Sequence, residues 1–144
     1  MNATETIYAL ALASNNQPKQ HFQSAIAKIS LLGELKFSKI YLMPCRDGIG
    51  ANYWNAACLV QSCMSVSEMT AYLKQMEADS GRMRPSHNIS LDVDLIAWGS
   101  DLAHMQFNAK KMPLALDVKI PMQDIWPDHA FQHEQHDFPV VTCA

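Results

Sequence analysis

Leu91-Asp92-Val93-Asp94-Leu95 decides how this chain is read. Apolar and acidic residues alternate there. That is the period of a β-strand, in which side chains at i and i+2 share a face. Leu91, Val93 and Leu95 are expected to enter a core, and Asp92 and Asp94 to project side by side from the opposite face. Two anions held so close repel unless a cation lies between them. Oxygen ligands on a stiff strand suit Mg²⁺, which usually takes one or two protein carboxylates plus phosphate oxygens. The plain alternative is a solvated strand face that carries two acids.

Upstream stands Gly81-Arg82-Met83-Arg84. Guanidinium forks grip phosphate bidentately, and a metal neutralises the charge that remains. Arg82 and Arg84 are therefore candidates to handle phosphate beside Asp92 and Asp94. Pairing with Glu77, Asp79 or the aspartates themselves would also explain them. Further upstream, Tyr53-Trp54-Asn55 opens an apolar run to Val60. On a strand, Tyr53 and Asn55 share a face. A phenol ring can stack on a flat heterocycle while a carboxamide reads its edge with both donor and acceptor. A half-buried core tyrosine and a turn amide are the ordinary alternatives.

Around these landmarks the pattern reads strand, helix, strand, strand, helix, strand. Ile7 to Ala13 forms the first strand. Phe22, Ile26 and Ile29 mark a helix over about 18–32, stopped by Gly33. Leu35 to Leu42 reads as a second strand. Pro44 to Gly50 is a turn-rich loop placed to act as a lid, and Tyr53 to Gln61 is a third strand. Ser65 and Glu68 form a capping box for a second helix. Its buried face carries Met69, Leu73 and Met76, and Gly81 suits the position just past its end. Ser90 to Trp98 is the fourth strand. That order is the split βαβ pattern of an α+β, ferredoxin-like βαββαβ sandwich with C-terminal additions. Both helices would cover one sheet face. The other face, with Asp92 and Asp94, is free unless later segments cover it.

The 144 residues make one domain, read as 1–128 followed by a polar tail, 129–144. Hydrophobic residues at 49% and charged residues at 17% fit an ordinary globular protein. The net charge of −3 and the lack of a basic stripe argue against a nucleic-acid partner. No apolar run is long enough for a membrane span, and the start lacks the features of a signal peptide. The four cysteines show no zinc spacing. Reduced thiols and a cytoplasmic setting are expected. His129, His133 and His136 read as part of a solvated tail, with zinc binding through His129 and His133 as the alternative. Trp54, Trp98 and Trp126 read as packing residues.

The chain resembles the 6-hydroxymethyl-7,8-dihydropterin pyrophosphokinase family of folate biosynthesis, as a divergent member. Five stretches carry the likeness in the family's order. Tyr8 to Asn15 is similar to its opening strand ending in Gly-Ser-Asn. Tyr53-Trp54-Asn55-Ala56-Ala57 is similar to its pterin strand. Glu77 to Arg84 is similar to its Glu-x-x-x-Gly-Arg-x-Arg helix end. Leu91 to Leu95 is similar to its Leu-Asp-Leu-Asp strand, and Ile125-Trp126-Pro127-Asp128 to its Ile-x-Pro-Asp close. The resemblance implies a transferase that binds ATP with Mg²⁺ on Asp92 and Asp94. It implies phosphate contacts and catalytic roles for Arg82 and Arg84, with the pterin held by Tyr53 and Asn55. In that chemistry two ions bridge the phosphates and the substrate hydroxymethyl oxygen attacks the β-phosphorus. Glu77 would orient an arginine.

The departures are specific. Ala13 stands where the family has Gly. Only Pro85 to Ser90 separates Arg84 from Leu91, without the family's Arg-Trp-Gly-Pro-Arg. No Pro-His pair occurs near Asn108 to Met112, and Ala115-Leu116-Asp117 replaces Arg-x-Phe. These losses imply reduced diphosphate transfer. The alternative is a non-catalytic or redirected paralogue that binds a pterin-like heterocycle or a nucleotide.

Overall fold

β1 (Thr6–Ser14) runs through the middle of an antiparallel sheet, flanked by β4 (Tyr53–Ser62) and β5 (Asp92–Gly99). The computed structural model describes residues 5–143 apart from Asp47 and Pro85, one in the glycine loop and one in the short loop before β5. Beyond β4 lie β2 (Leu35–Phe37) and β3 (Ile40–Met43). Beyond β5 lies β6 (Met105–Phe107), and β7 (Val140–Val141) pairs with β3. The path β5-β1-β4-β3 is the ferredoxin-like order expected from the sequence, extended by β6 and β7.

The expected second strand, Leu35 to Leu42, is two. Phe37 faces Cys58 and Tyr41 faces Asn55, so four steps on the edge oppose three on β4. Ser38 fills the break. Its N–H donates to Ala57 O at 2.9 Å, and its hydroxyl accepts from Ala57 N–H at 2.8 Å. A side-chain oxygen thus replaces a ladder carbonyl, the bulge device that bends a strand.

Helix α1 (Pro18–Ser30) starts with proline at its first turn, where no N–H is needed, and buries Phe22, Ala25 and Ile29. Helix α2 (Val66–Asp79) carries the expected capping box and buries Met69, Leu73 and Met76. Gly81 follows at φ 86, a left-handed position that glycine takes without steric cost. Both helices pack on the face made by Tyr8, Leu10, Leu12, Ala56, Cys58, Val60, Leu91, Val93 and Leu95. Trp54 meets Phe22 edge-on at 5.8 Å on that side.

Later segments cover much of the opposite face. Helix α3 (Leu116–Ile125) and a 3-10 turn at His129–Phe131 set Met122, Ile125, Trp126 and Phe131 on Ala9, Ala11, Ala57, Leu59, Ile96 and Ala97. Trp126 stacks on Phe107 at 5.5 Å. The segment expected as a solvated tail therefore anchors the fold at two points. Phe131 is fully buried, and Val140–Val141 extends the sheet. Residues 132–137 between them stay exposed. No helix among the described residues is long and apolar enough to cross a membrane.

Candidate functional site at the end of the central strands

Directly opposed residues on neighbouring strands share a sheet face. Across β5, β1, β4 and β3, Asp92 opposes Ala13, Ala13 opposes Asn55, and Asn55 opposes Tyr41. The next row holds Asp94, Ala11 and Ala57. Alanines on the central strand keep the middle of both rows low, and helix α3 covers the sheet beyond them. The result is a cavity of about 250 Å³ lined by Ala13, Cys45, Arg46, Tyr53, Asn55, Arg82, Ile89, Asp92 and Asp117.

Asn55 is only 3% exposed, and its Nδ2 has no hydrogen-bond partner. Arg82 Nε is likewise buried and unpaired. Leaving a buried donor unsatisfied costs roughly 1–3 kcal/mol. Both residues line the one cavity, which makes their unpaired donors candidates to meet acceptor atoms of a ligand.

The acids gather at the outer edge of β5, because β6 pairs only with Ala97 to Gly99. At that unpaired stretch, Val93 N–H donates to Glu77 Oε2 at 2.9 Å, which draws the end of α2 against the strand. Glu77, Asp92 and Asp94 can then bring one oxygen each within 4.8 Å of one another. Burial, with Asp92 beside it, raises the Glu77 carboxyl to about 7, against the pull of Arg82. Burial and Asp92 also raise Asp94, while Lys111 opposes the shift from 2.9 Å. Hard oxygen donors crowded against their own repulsion fit a small divalent cation.

Cations frame this cluster. Arg82 Nη1 donates to Leu91 O at 3.1 Å and lies 3.4 Å from Asp92 and 3.8 Å from Glu77. Arg84 Nη2 lies 3.5 Å from Glu77 and its side chain is 66% exposed. A second cavity of about 490 Å³ runs along the acids past Glu77, Arg84, Asp92, Asp94, Trp98, Asn108, Lys110 and Lys111. Asp92 lines both cavities.

All six residues singled out from sequence meet here: Tyr53, Asn55, Arg82 and Asp92 at the first cavity, Arg84, Asp92 and Asp94 at the second. Sequence reasoning missed Glu77 as a member of the acid cluster and missed Lys111; it met Arg46 only as part of the lid-like loop and Asp117 only as a departure from Arg-x-Phe, not as partners at the site. Each reaches the site through a contact distant along the chain. The histidines of the C-terminal segment take no part in the carboxylate cluster, the three-ligand grouping among the described residues.

Loop positions are set by Asn15. Its Nδ2 donates to His87 O at 2.7 Å and Ala51 O at 3.3 Å, while its Oδ1 accepts from Ile89 N–H. One amide thus ties the short loop before β5 and the loop before β4 to the end of β1. Gly50 takes φ 93 where the two loops touch, and a Cβ there would stand 3.2 Å from His87 O.

The fold and the site together define an α+β domain in which clustered acids, cations and an unfilled amide cavity share one end of the sheet. Over residues 9–131 the sequence matches the model of the 7,8-dihydro-6-hydroxymethylpterin-pyrophosphokinase family, and the chain belongs to that family. No curated protein matches it as a relative.

Proposed function

We propose that the chain transfers diphosphate from ATP to the hydroxymethyl group of 6-hydroxymethyl-7,8-dihydropterin, in the cytoplasm. The observation that carries this is Asp92, shared between a cavity with unpaired edge-reading donors and a cavity framed by Arg84, Lys110 and Lys111. A heterocycle in the first and phosphates in the second would meet at that carboxylate.

Asn55 reads the heterocycle edge through its unpaired amide, and Tyr53 offers its ring. Arg82 donates to an acceptor through Nε while Nη1 stays with Leu91 O and Asp92. Arg84 and Lys111 are each held by one acid and can turn to phosphate oxygens. Asp92, Asp94 and Glu77 would hold Mg²⁺, which supplies neutralisation of phosphate charge when bound. The hydroxymethyl oxygen attacks the β-phosphorus, the bond from that phosphorus to the α–β bridging oxygen breaks, AMP leaves with the electron pair, and the hydroxyl proton is released to solvent. The protein contributes position and charge.

A second reading is supported by the short, Asn15-bound loop and by Asp117 at the cavity. The chain would then bind the heterocycle or the nucleotide without transfer. Purified protein with ATP, Mg²⁺ and the dihydropterin, followed for AMP by chromatography, separates the two. Transfer predicts AMP that requires the pterin. Pterin binding without AMP supports the second reading, and no binding of either ligand refutes both.

A further inference from the structure

β5 does not run evenly along β1. Leu10 opposes Leu95 and Ala9 opposes Ala97, so Ile96 is one residue too many. Such a bulge re-aims the side chains around it. Ile96 and Ala97 both lie in the core under α3, while Leu95 and Trp98 both pack on the side of α1 and α2. Asn108, the residue after β6, holds this stretch. Its backbone N–H donates to Ile96 O at 2.8 Å, and its Nδ2 donates to Leu95 O at 2.9 Å. The other end of the same amide turns to the chain that follows. Its Oδ1 accepts from Lys110 N–H at 3.1 Å and caps the 3-10 turn Ala109–Lys111. Its backbone O accepts from Lys111 N–H at 3.0 Å. At the end of that turn Lys111 Nζ donates to Asp94 Oδ1 at 2.9 Å, one residue before the carbonyl that Asn108 holds.

A carboxamide suits both tasks, because it donates through nitrogen and accepts through oxygen. A carboxylate would cap the turn but has no proton for Leu95 O. A serine hydroxyl caps well and is one atom shorter. Each end of the Asn108 amide is engaged within the chain, so its effect on a ligand passes through its neighbours. We propose that Asn108 is a positioning residue: one amide spans the β5 bulge and the turn, and so sets Lys111 on Asp94 at the cavity framed by Arg84 and Lys110. The placement rests on these contacts. That Lys111 meets phosphate there rests on the reading given under Proposed function.

The experiment joins Lys111 to Asp94 with a water-soluble carbodiimide, which links a carboxylate to an amine already in contact. The Lys28–Asp79 pair, 3.5 Å apart between α1 and α2, is the internal reference. Parent, Asn108→Ser and Asn108→Ala proteins are compared by peptide mass spectrometry. Serine keeps the cap and loses the bond to Leu95 O, and alanine loses both. One neutral hydrogen bond shifts an equilibrium by roughly two- to ten-fold, so the Lys111–Asp94 product should fall at least about two-fold against the reference in Asn108→Ser, and further in Asn108→Ala. General loosening of the fold would lower both products together. Absence of the Lys111–Asp94 product in the parent, an unchanged ratio in Asn108→Ser, or a fall shared with the reference overturns the placement. In a second arm, inorganic tripolyphosphate is titrated by calorimetry with Mg²⁺ present. Asn108→Ser should bind it roughly two- to five-fold more weakly than the parent, the range of one exposed charge contact. In a Lys111→Gln background the same change should add nothing, because both act through one contact. Equal binding by parent and Asn108→Ser, or an additive loss beside Lys111→Gln, overturns the role toward phosphate. Absence of binding by the parent overturns the phosphate reading, while the cross-link still decides the placement.

Discussion

Asn55 and Asp92 stand in one row of the sheet with only Ala13 between them. An unpaired amide donor and a carboxylate therefore face one hollow from two strands that do not touch. That spacing lets one ligand be read at one end and presented to charge at the other.

Asn55→Ala should separate binding from folding. The Nδ2 group has no partner to lose in the free protein. Thermal stability should hold or rise slightly, while pterin affinity falls by about 1–3 kcal/mol, the cost of an unmade buried hydrogen bond. Calorimetry and thermal denaturation on the same samples check both halves. Equal pterin affinity in parent and variant would remove Asn55 from the pocket.

Asp92 and Asp94 repel one another and Glu77 within a 4.8 Å cluster. Replacing both with Asn should keep the fold, since neither side chain belongs to the apolar core, and should abolish Mg²⁺-dependent enhancement of ATP binding. Titration of ATP with and without Mg²⁺ reads this directly. A double variant that keeps the parent's Mg²⁺ response would refute the metal assignment.

The acid cluster also sets a pH dependence. Glu77 rises from 4.5 to about 7 in the folded chain, chiefly through burial. The folded state then holds a proton that the unfolded state has released. Its contribution is complete below about 4.5 and is lost as pH climbs through about 7. The loss is bounded at about 3 kcal/mol. Without metal, the parent should therefore lose stability across that window, and Glu77→Gln should flatten the slope. Added Mg²⁺ should stabilise the parent more at pH 8 than at pH 5. Denaturation midpoints in EDTA and in Mg²⁺ test both. An unchanged slope in Glu77→Gln would show that Glu77 is not the titrating group.

What was legible in the sequence was local or periodic. The Asp92/Asp94 alternation and the Ser65–Glu68 capping box are patterns of a few residues, and both elements formed where expected. The break at Ser38 was hidden because its hydroxyl fills a ladder position that only the pairing with Ala57 reveals. Glu77 and Lys111 were hidden because each reaches β5 from far along the chain, at an edge that exists only once β6 stops short of Val93, and the Arg46–Asp117 pair because it joins the β3–β4 loop to α3. Phe131 was masked by the histidines and acids around it.

Phe131→Ala should accordingly behave as a core truncation. The ring is fully buried against Trp126 and Phe107. Its loss should cost about 3–5 kcal/mol. Ending the chain after Asp128 should cost at least as much, because it also removes the pairing of Val140–Val141 with β3. Urea denaturation measures both. A chain of 128 residues as stable as the parent would show that the C-terminal segment is dispensable.

The short connection between Arg84 and Leu91 sets the last expectation. Ser14 and Asn15 hold its far end through Ile89 O, Ile89 N–H and His87 O, so it lies against the end of β1. It carries no arginine that could close over ATP. Phosphate contacts then fall to Arg84, Lys110 and Lys111 on an open wall, where ionic strength screens charge over about 8 Å under physiological conditions. ATP affinity should be weak and fall steeply with added salt. Inserting Arg-Trp-Gly-Pro-Arg between Arg84 and Leu91 should tighten ATP binding and reduce its salt dependence, provided Asn15 still anchors the loop's end. Isothermal titration at low and high salt compares the two proteins. Tight, salt-insensitive binding by the unmodified chain would mean that the acids and the three exposed cations suffice, and that the missing arginines are not what limits this site.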